Sequence, residues 1–125
     1  MKLYISNSFE VDTSVNNDNP PLSEIGIQQA KSKRITFPDI KFDYCFTSPL
    51  IQDYGSAMLL VGDKVLIDRD KRLQYEASLA DNNTRIIEFI DFLEQTYPEK
   101  TILLVVNSAM NSILQNYKTK NLEII

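Results

Sequence analysis

The stretch Thr101-Ile102-Leu103-Leu104-Val105-Val106 constrains the fold of this chain most. It is an unbroken apolar run rich in β-branched residues, with Pro98 shortly before it and Asn107-Ser108 directly after it. A strand with one wet face alternates apolar and polar residues, whereas a strand in a parallel sheet is covered on both faces and reads as a continuous apolar run. The run is far too short to cross a bilayer. It predicts a parallel strand inside the molecule, and parallel neighbours require crossover connections, usually helices.

The rest of the chain supplies that alternation. Lys2 to Ser6 reads as an opening strand, and the Asn-, Asp- and Ser-rich stretch that ends at Pro20-Pro21 reads as a loop. Ser23 is placed to cap a helix running to about Arg34, with Glu24 at its positive end and a staple between Leu22 and Ile27. Gly26 inside that helix costs about 1 kcal/mol against Ala, which predicts a close backbone approach. Phe42 to Phe46 predicts the second strand. Ser48 as N-cap and Pro49 at the first helical position then predict a helix to about Val61. Lys64 to Ile67 reads as a short strand. Asp81 or Asn82 can cap a helix over Thr84 to Tyr97, whose Ile86, Ile90, Leu93 and Tyr97 share one face before Pro98 ends it. Ser108 can cap a last helix to about Tyr117, and Asn121 to Ile125 can form a final strand. The pattern is α/β with a mostly parallel sheet, in a single domain over residues 1–125.

Composition removes several function classes. With 43% hydrophobic residues, the chain can build a core without staples. Cys45 is the only cysteine, so no internal disulfide forms, and its setting in Phe42-Asp43-Tyr44-Cys45-Phe46 suits a small buried apolar residue. The chain has no histidine to act as a base for a thiol or hydroxyl. A net charge of -4 argues against a nucleic-acid partner. Two small basic clusters, Lys31-Lys33-Arg34 and Arg69-Lys71-Arg72, read first as solvated faces and second as phosphate contacts. The first residues lack the apolar core of a signal peptide, so a cytoplasmic location with no membrane partner is expected. No cofactor and no metal is expected either.

Four landmarks in order carry a family resemblance. They are Lys2-Leu3-Tyr4-Ile5 with the polar Asn7-Ser8-Phe9-Glu10 after it, Pro21-Leu22-Ser23-x-x-Gly26-x-x-Gln29-Ala30, Thr47-Ser48-Pro49-Leu50 with Ser56-Ala57, and Arg72-Leu73. From Leu3 to about Leu114 the chain resembles the histidine phosphatase (phosphoglycerate mutase-like) superfamily, in its compact phosphohistidine-phosphatase-like branch. The resemblance implies a three-layer α/β/α sandwich of phosphoglycerate mutase type. It also implies where the chemistry would sit: Asn7 replaces the first Arg, Ser8 the nucleophilic His, Phe9 the following Gly, Gln52 the second Arg and Asn107 the second His. The acidic proton donor of the family falls on Tyr75, with Glu76 one residue late.

Those replacements remove the chemistry the family uses. Ser8 is a weak nucleophile without a base, and Asn and Gln donate hydrogen bonds without charge. The expectation is a catalytically inactive domain with no catalytic residue, serving in binding or regulation through an unidentified protein partner. Its old cleft would then be either a satisfied polar seam or a site for a small neutral or cationic ligand among Asn7, Ser8, Glu10, Gln52 and Asn107. One alternative is a rebuilt enzyme in which Ser8 or Ser48 is the nucleophile and Glu10, Asp12 or Glu76 the acid/base. A second is a phospho-ligand binder without turnover, using Arg34, Arg69 or Arg72.

Overall fold

The computed structural model describes residues 1–76, 79–116 and 122–125. Along the chain run β1 (Lys2–Asn7), α1 (Glu24–Thr36), β2 (Tyr44–Thr47), α2 (Ile51–Val61) and β3 (Ile67–Arg69). A 3-10 turn (Lys71–Leu73), α3 (Leu79–Thr96), β4 (Thr101–Val106), α4 (Ser108–Gln115) and β5 (Leu122–Ile124) follow. The strands form one sheet in the order β3-β2-β4-β1-β5, and every neighbouring pair is parallel. The run at Thr101 to Val106 is therefore the central strand.

Strand alternation sorts the core into two layers. Leu3 and Ile5 of β1, Phe46 of β2, and Ile102, Leu104 and Val106 of β4 pack with Phe89, Ile90 and Leu93 of α3 and with Met110 and Leu114 of α4. Tyr4, Cys45, Leu103 and Val105 face the other way, against Ala57, Leu60 and Val61 of α2. Both faces of β4 are thus covered, which is why the run tolerates no polar residue. Each fully buried side chain of this kind contributes about 1.5–3 kcal/mol of transfer free energy.

Helix starts differ in detail from the sequence reading. Ser23 caps α1 as predicted, its side chain accepting from the Gly26 N–H at 2.9 Å. For α2 the N-cap is Leu50 instead of Ser48. Ser48 is fully buried at the exit of β2, and its hydroxyl donates to Asp53 at 2.6 Å while accepting from the Leu50 N–H at 3.2 Å. Asn107, not Ser108, caps α4 by accepting from the Met110 N–H at 2.9 Å. α3 begins at Leu79, so Asp81 and Asn82 lie inside it. The buried Asn82 amide instead ties the preceding chain, accepting from the Glu76 N–H and donating to the Glu76 carbonyl. β3 starts at Ile67, where Cys45 of β2 first finds a partner, and not at Lys64. The expected ends at Tyr117 and Asn121 lie outside the described residues.

Topology fixes where a site can form. The connection from β1 leads across β4 to β2, and the connection from β4 leads across β1 to β5. Adjacent parallel strands whose connections leave in opposite directions open a crevice beyond their carboxyl ends. Here that crevice lies beyond Asn7 and Val106, which pair across β1 and β4. Among the described residues no helix is long and apolar enough to cross a membrane.

Candidate functional site

Residues 7 to 10 leave β1 at the crevice, Ser8 held by β4 and Asn7, Phe9 and Glu10 by the surrounding helices. The Ser8 N–H extends the sheet by donating to the Val106 carbonyl at 2.7 Å. The Asn7 side-chain oxygen accepts from Asn111 of α4 at 2.5 Å, and Asn111 in turn accepts from Gln115 at 3.0 Å. The first turns of α2 grip the next residue from both sides. The Phe9 N–H donates to Ser56 Oγ at 2.9 Å, and the Phe9 carbonyl accepts from the Gln52 amide at 2.8 Å. Glu10 is held by α1 through its backbone: its N–H donates to Gln29 at 3.2 Å and its carbonyl accepts from the Ser23 N–H at 3.0 Å.

Asp53 lies beneath this turn, with no exposed surface. One of its oxygens takes the Ser48 hydroxyl at 2.6 Å. The other oxygen and Ser8 Oγ are both sealed from solvent, and neither has a formed hydrogen bond among the described residues. Burial pushes the Asp53 carboxyl up to about 6, against the pull of the Ser48 and Ser8 hydroxyls, which favour the charged form. No ion pair reaches it among the described residues.

The five positions proposed for ligand binding are not gathered on one open surface. Asn7, Ser8 and Phe9 line an open groove of about 1080 Å³ whose far wall is α1, including Ile25, Gln28 and Lys33. Glu10, Gln52 and Asn107 are not among its lining residues. Glu10 is exposed, Gln52 is turned onto the Phe9 carbonyl, and Asn107 is engaged as a helix cap. Phe9 sits half-buried against the Tyr4–Leu103 layer and lines the groove.

Of the residues considered as acids or phosphate contacts, Asp12, Arg69 and Arg72 are engaged elsewhere. Asp12 accepts from the N–H and hydroxyl of Ser14 in a local turn, which holds its carboxyl below the ordinary range. Glu76 lies in a small hollow with Lys71, Arg72, Asp81 and Arg85. Arg72 is forked onto Asp70 at 2.7 and 3.0 Å and stacks over Phe89 and Phe92. Arg69 lies over the Tyr54 ring, its guanidinium carbon 4.8 Å from the centroid. Asp53 was the residue the sequence reading missed. The signal lay in α2, where Asp53, Ala57, Leu60 and Val61 follow the helical spacing of a buried stripe with an acid at its head.

Solved structures share this architecture. The chain superposes on the alpha-ribazole phosphatase from Shigella flexneri with a TM-score of 0.78 and 18% identity, over 92% of this chain and 78% of that one. A phosphoglycerate mutase from Bacillus anthracis matches with a TM-score of 0.74 and 16% identity, over 90% and 77%. A mycobacterial glucosyl-3-phosphoglycerate phosphatase gives 0.73 and 17%, over 89% and 76%. This chain has the histidine phosphatase, phosphoglycerate mutase-like fold. No protein-family model matches the sequence, and no curated protein matches it either. Identities this low carry the fold alone. Open α/β sheets place ligands at a switch point such as the β1–β4 crevice, and at this one the side chains of Asn7, Gln52 and Asn107 are uncharged and hydrogen-bonded within the chain.

Proposed function

We propose that this chain is a histidine-phosphatase-like domain that does not hydrolyse phosphate esters and serves in binding or regulation through protein contacts. One observation carries the reading. The side chains at the positions of the family's charged groups are engaged internally: Asn7 with Asn111, Gln52 with the Phe9 carbonyl, Asn107 with the first turn of α4, and Ser8 sealed beside Asp53. None of them carries positive charge for a phosphoryl group. Losing one oxyanion donor typically costs about 2.7–4 kcal/mol of transition-state stabilisation, so losing several charged ones leaves little rate enhancement. The reading requires no cofactor, metal, nucleic acid or membrane, and a cytoplasmic location suits it. The neighbours named as phosphatases and a mutase make phosphate esters the substrates to test. Purified protein incubated with an aryl phosphate and with a phosphohistidine peptide should release no more phosphate than the Ser8→Ala variant. Turnover that disappears in Ser8→Ala would overturn the proposal.

The rebuilt-enzyme reading gains one observation and loses another. A carboxylate does stand beside two serine hydroxyls, but it is Asp53 and not Glu10, Asp12 or Glu76. An ionised Asp53 could accept the Ser8 proton. Against this, Ser8 Oγ has no solvent-accessible surface from which to meet an ester. The same phosphate-release assay separates the two readings.

A further inference from the structure

The basic cluster around Arg34 finds its place at the opposite edge of the sheet. α1 leads from the carboxyl end of β1 to the amino end of β2, and α2 from β2 to the amino end of β3. Both helices therefore end beside one another at the amino-terminal edge, away from the crevice. A cavity of about 540 Å³ lies there, with Arg34 from the last turn of α1, Lys41 from the loop before β2 and Lys64 from the loop before β3 in its walls. Its floor includes Phe37 and Phe42, whose ring centroids are 6.1 Å apart. Asp39 is the single acid in the lining.

Three cations against one carboxylate converge on an apolar floor in a chain whose net charge is -4. None of the three has an ion-pair partner among the described residues. Favourable interaction with a helix C-terminus accounts for Arg34, but not for Lys41 and Lys64, which stand in loops. The guanidinium of Arg34 lies over the turn that ends α2, an Nη atom 4.0 Å from where a Cβ on Gly62 would stand, so it sits between the two helix ends. We infer that this cavity binds an amphiphilic organic anion, its carboxylate or phosphate meeting Arg34, Lys41 and Lys64 and its apolar body lying on Phe37 and Phe42. A site with an apolar floor and a few convergent charges matches the usual composition of small-molecule pockets. It shares no residue with the β1–β4 crevice, so it stands whether or not that crevice is silent.

The test is a titration of isotope-labelled full chain, followed by backbone amide shifts, with phenyl phosphate, benzoate and inorganic phosphate as separate probes. Phenyl phosphate or benzoate should give saturable shifts at Arg34, Phe37, Lys41 and Lys64, weakening as salt is added. The Lys41→Gln/Lys64→Gln variant should lose affinity by about tenfold, two exposed charges being removed from one small anion. Ser8→Ala should leave the binding unchanged. Inorganic phosphate should bind more weakly than either aromatic probe. Equal binding by inorganic phosphate, shifts confined to the β1 exit, or an undiminished affinity in the double variant would each overturn the inference.

Discussion

Asp53 is a carboxylate with no exposed surface and no cation paired with it, a costly arrangement for a charged group. Burial raises its pKa from an ordinary 3.8 to about 6, despite the opposing Ser48 and Ser8 hydroxyls. The sign of the pH effect follows. Below the unfolded value both states hold the proton. As pH rises toward 6 the unfolded chain releases it first, so the folded state loses stability across that window. The loss amounts to about 3 kcal/mol at most, since a real interior relaxes around a charge. Asp53→Asn removes the titration, keeps an acceptor for Ser48 and adds a donor toward Ser8. In urea unfolding, its stability relative to the parent should rise by about 2 kcal/mol between pH 4 and pH 8. A difference that stays constant across that range would mean that Asp53 releases its proton at the same pH in the folded and the unfolded chain, so that burial does not raise its pKa.

At the scale of elements, the fastening of α1 onto the β1 exit is the most sharply posed contact. A Cβ on Gly26 would stand 2.1 Å from the Glu10 carbonyl oxygen, and that oxygen is fixed by the Ser23 N–H. Backbone on both sides leaves no side chain to give way. Gly26→Ala should therefore lower stability by about 3 kcal/mol in thermal or urea unfolding, overriding the helix propensity of Ala. Gly55 in α2 is the contrast, because a Cβ there meets only the Leu22 side chain at 3.6 Å. Gly55→Ala should raise stability by up to about 1 kcal/mol, and equal effects at the two glycines would refute the close approach. Gly26 was legible in the sequence because a glycine within a well-capped helix asks for a local reason. The cap of α2 was not. Ser48 and Pro49 have cap chemistry, yet burial at the strand end turned the Ser48 hydroxyl to Asp53, and no local pattern encodes that choice. Asn107 and Ser108 are both competent caps, so the one-residue difference depended on where β4 ends.

For the molecule as a whole, the layer order was legible because a parallel sheet leaves a long-wavelength mark: a continuous apolar strand among amphipathic helices. The crevice was legible too, since topology alone puts Asn7, Ser8 and Asn107 at the β1–β4 switch point. What those side chains touch depends on pairs distant in sequence, such as Asn7 with Asn111 and Gln52 with Phe9, and spacing does not reveal them. The same pairs decide whether the crevice is a seam or an open site. Replacing Asn7→Arg, Ser8→His, Phe9→Gly, Gln52→Arg and Asn107→His together would restore the residues of the resembled family. In a seam, that exchange removes a helix cap worth about 1 kcal/mol and two side-chain hydrogen bonds of about 1 kcal/mol each. The variant should then unfold at lower urea with about 3 kcal/mol less stability, whether or not it gains hydrolysis of an aryl phosphate. In an open site the five side chains would be holding nothing, and their exchange would leave stability unchanged within about 0.5 kcal/mol. The urea midpoint thus decides between fastener and ligand contact without any knowledge of the ligand. Unchanged stability would remove the observation on which the non-hydrolytic reading rests.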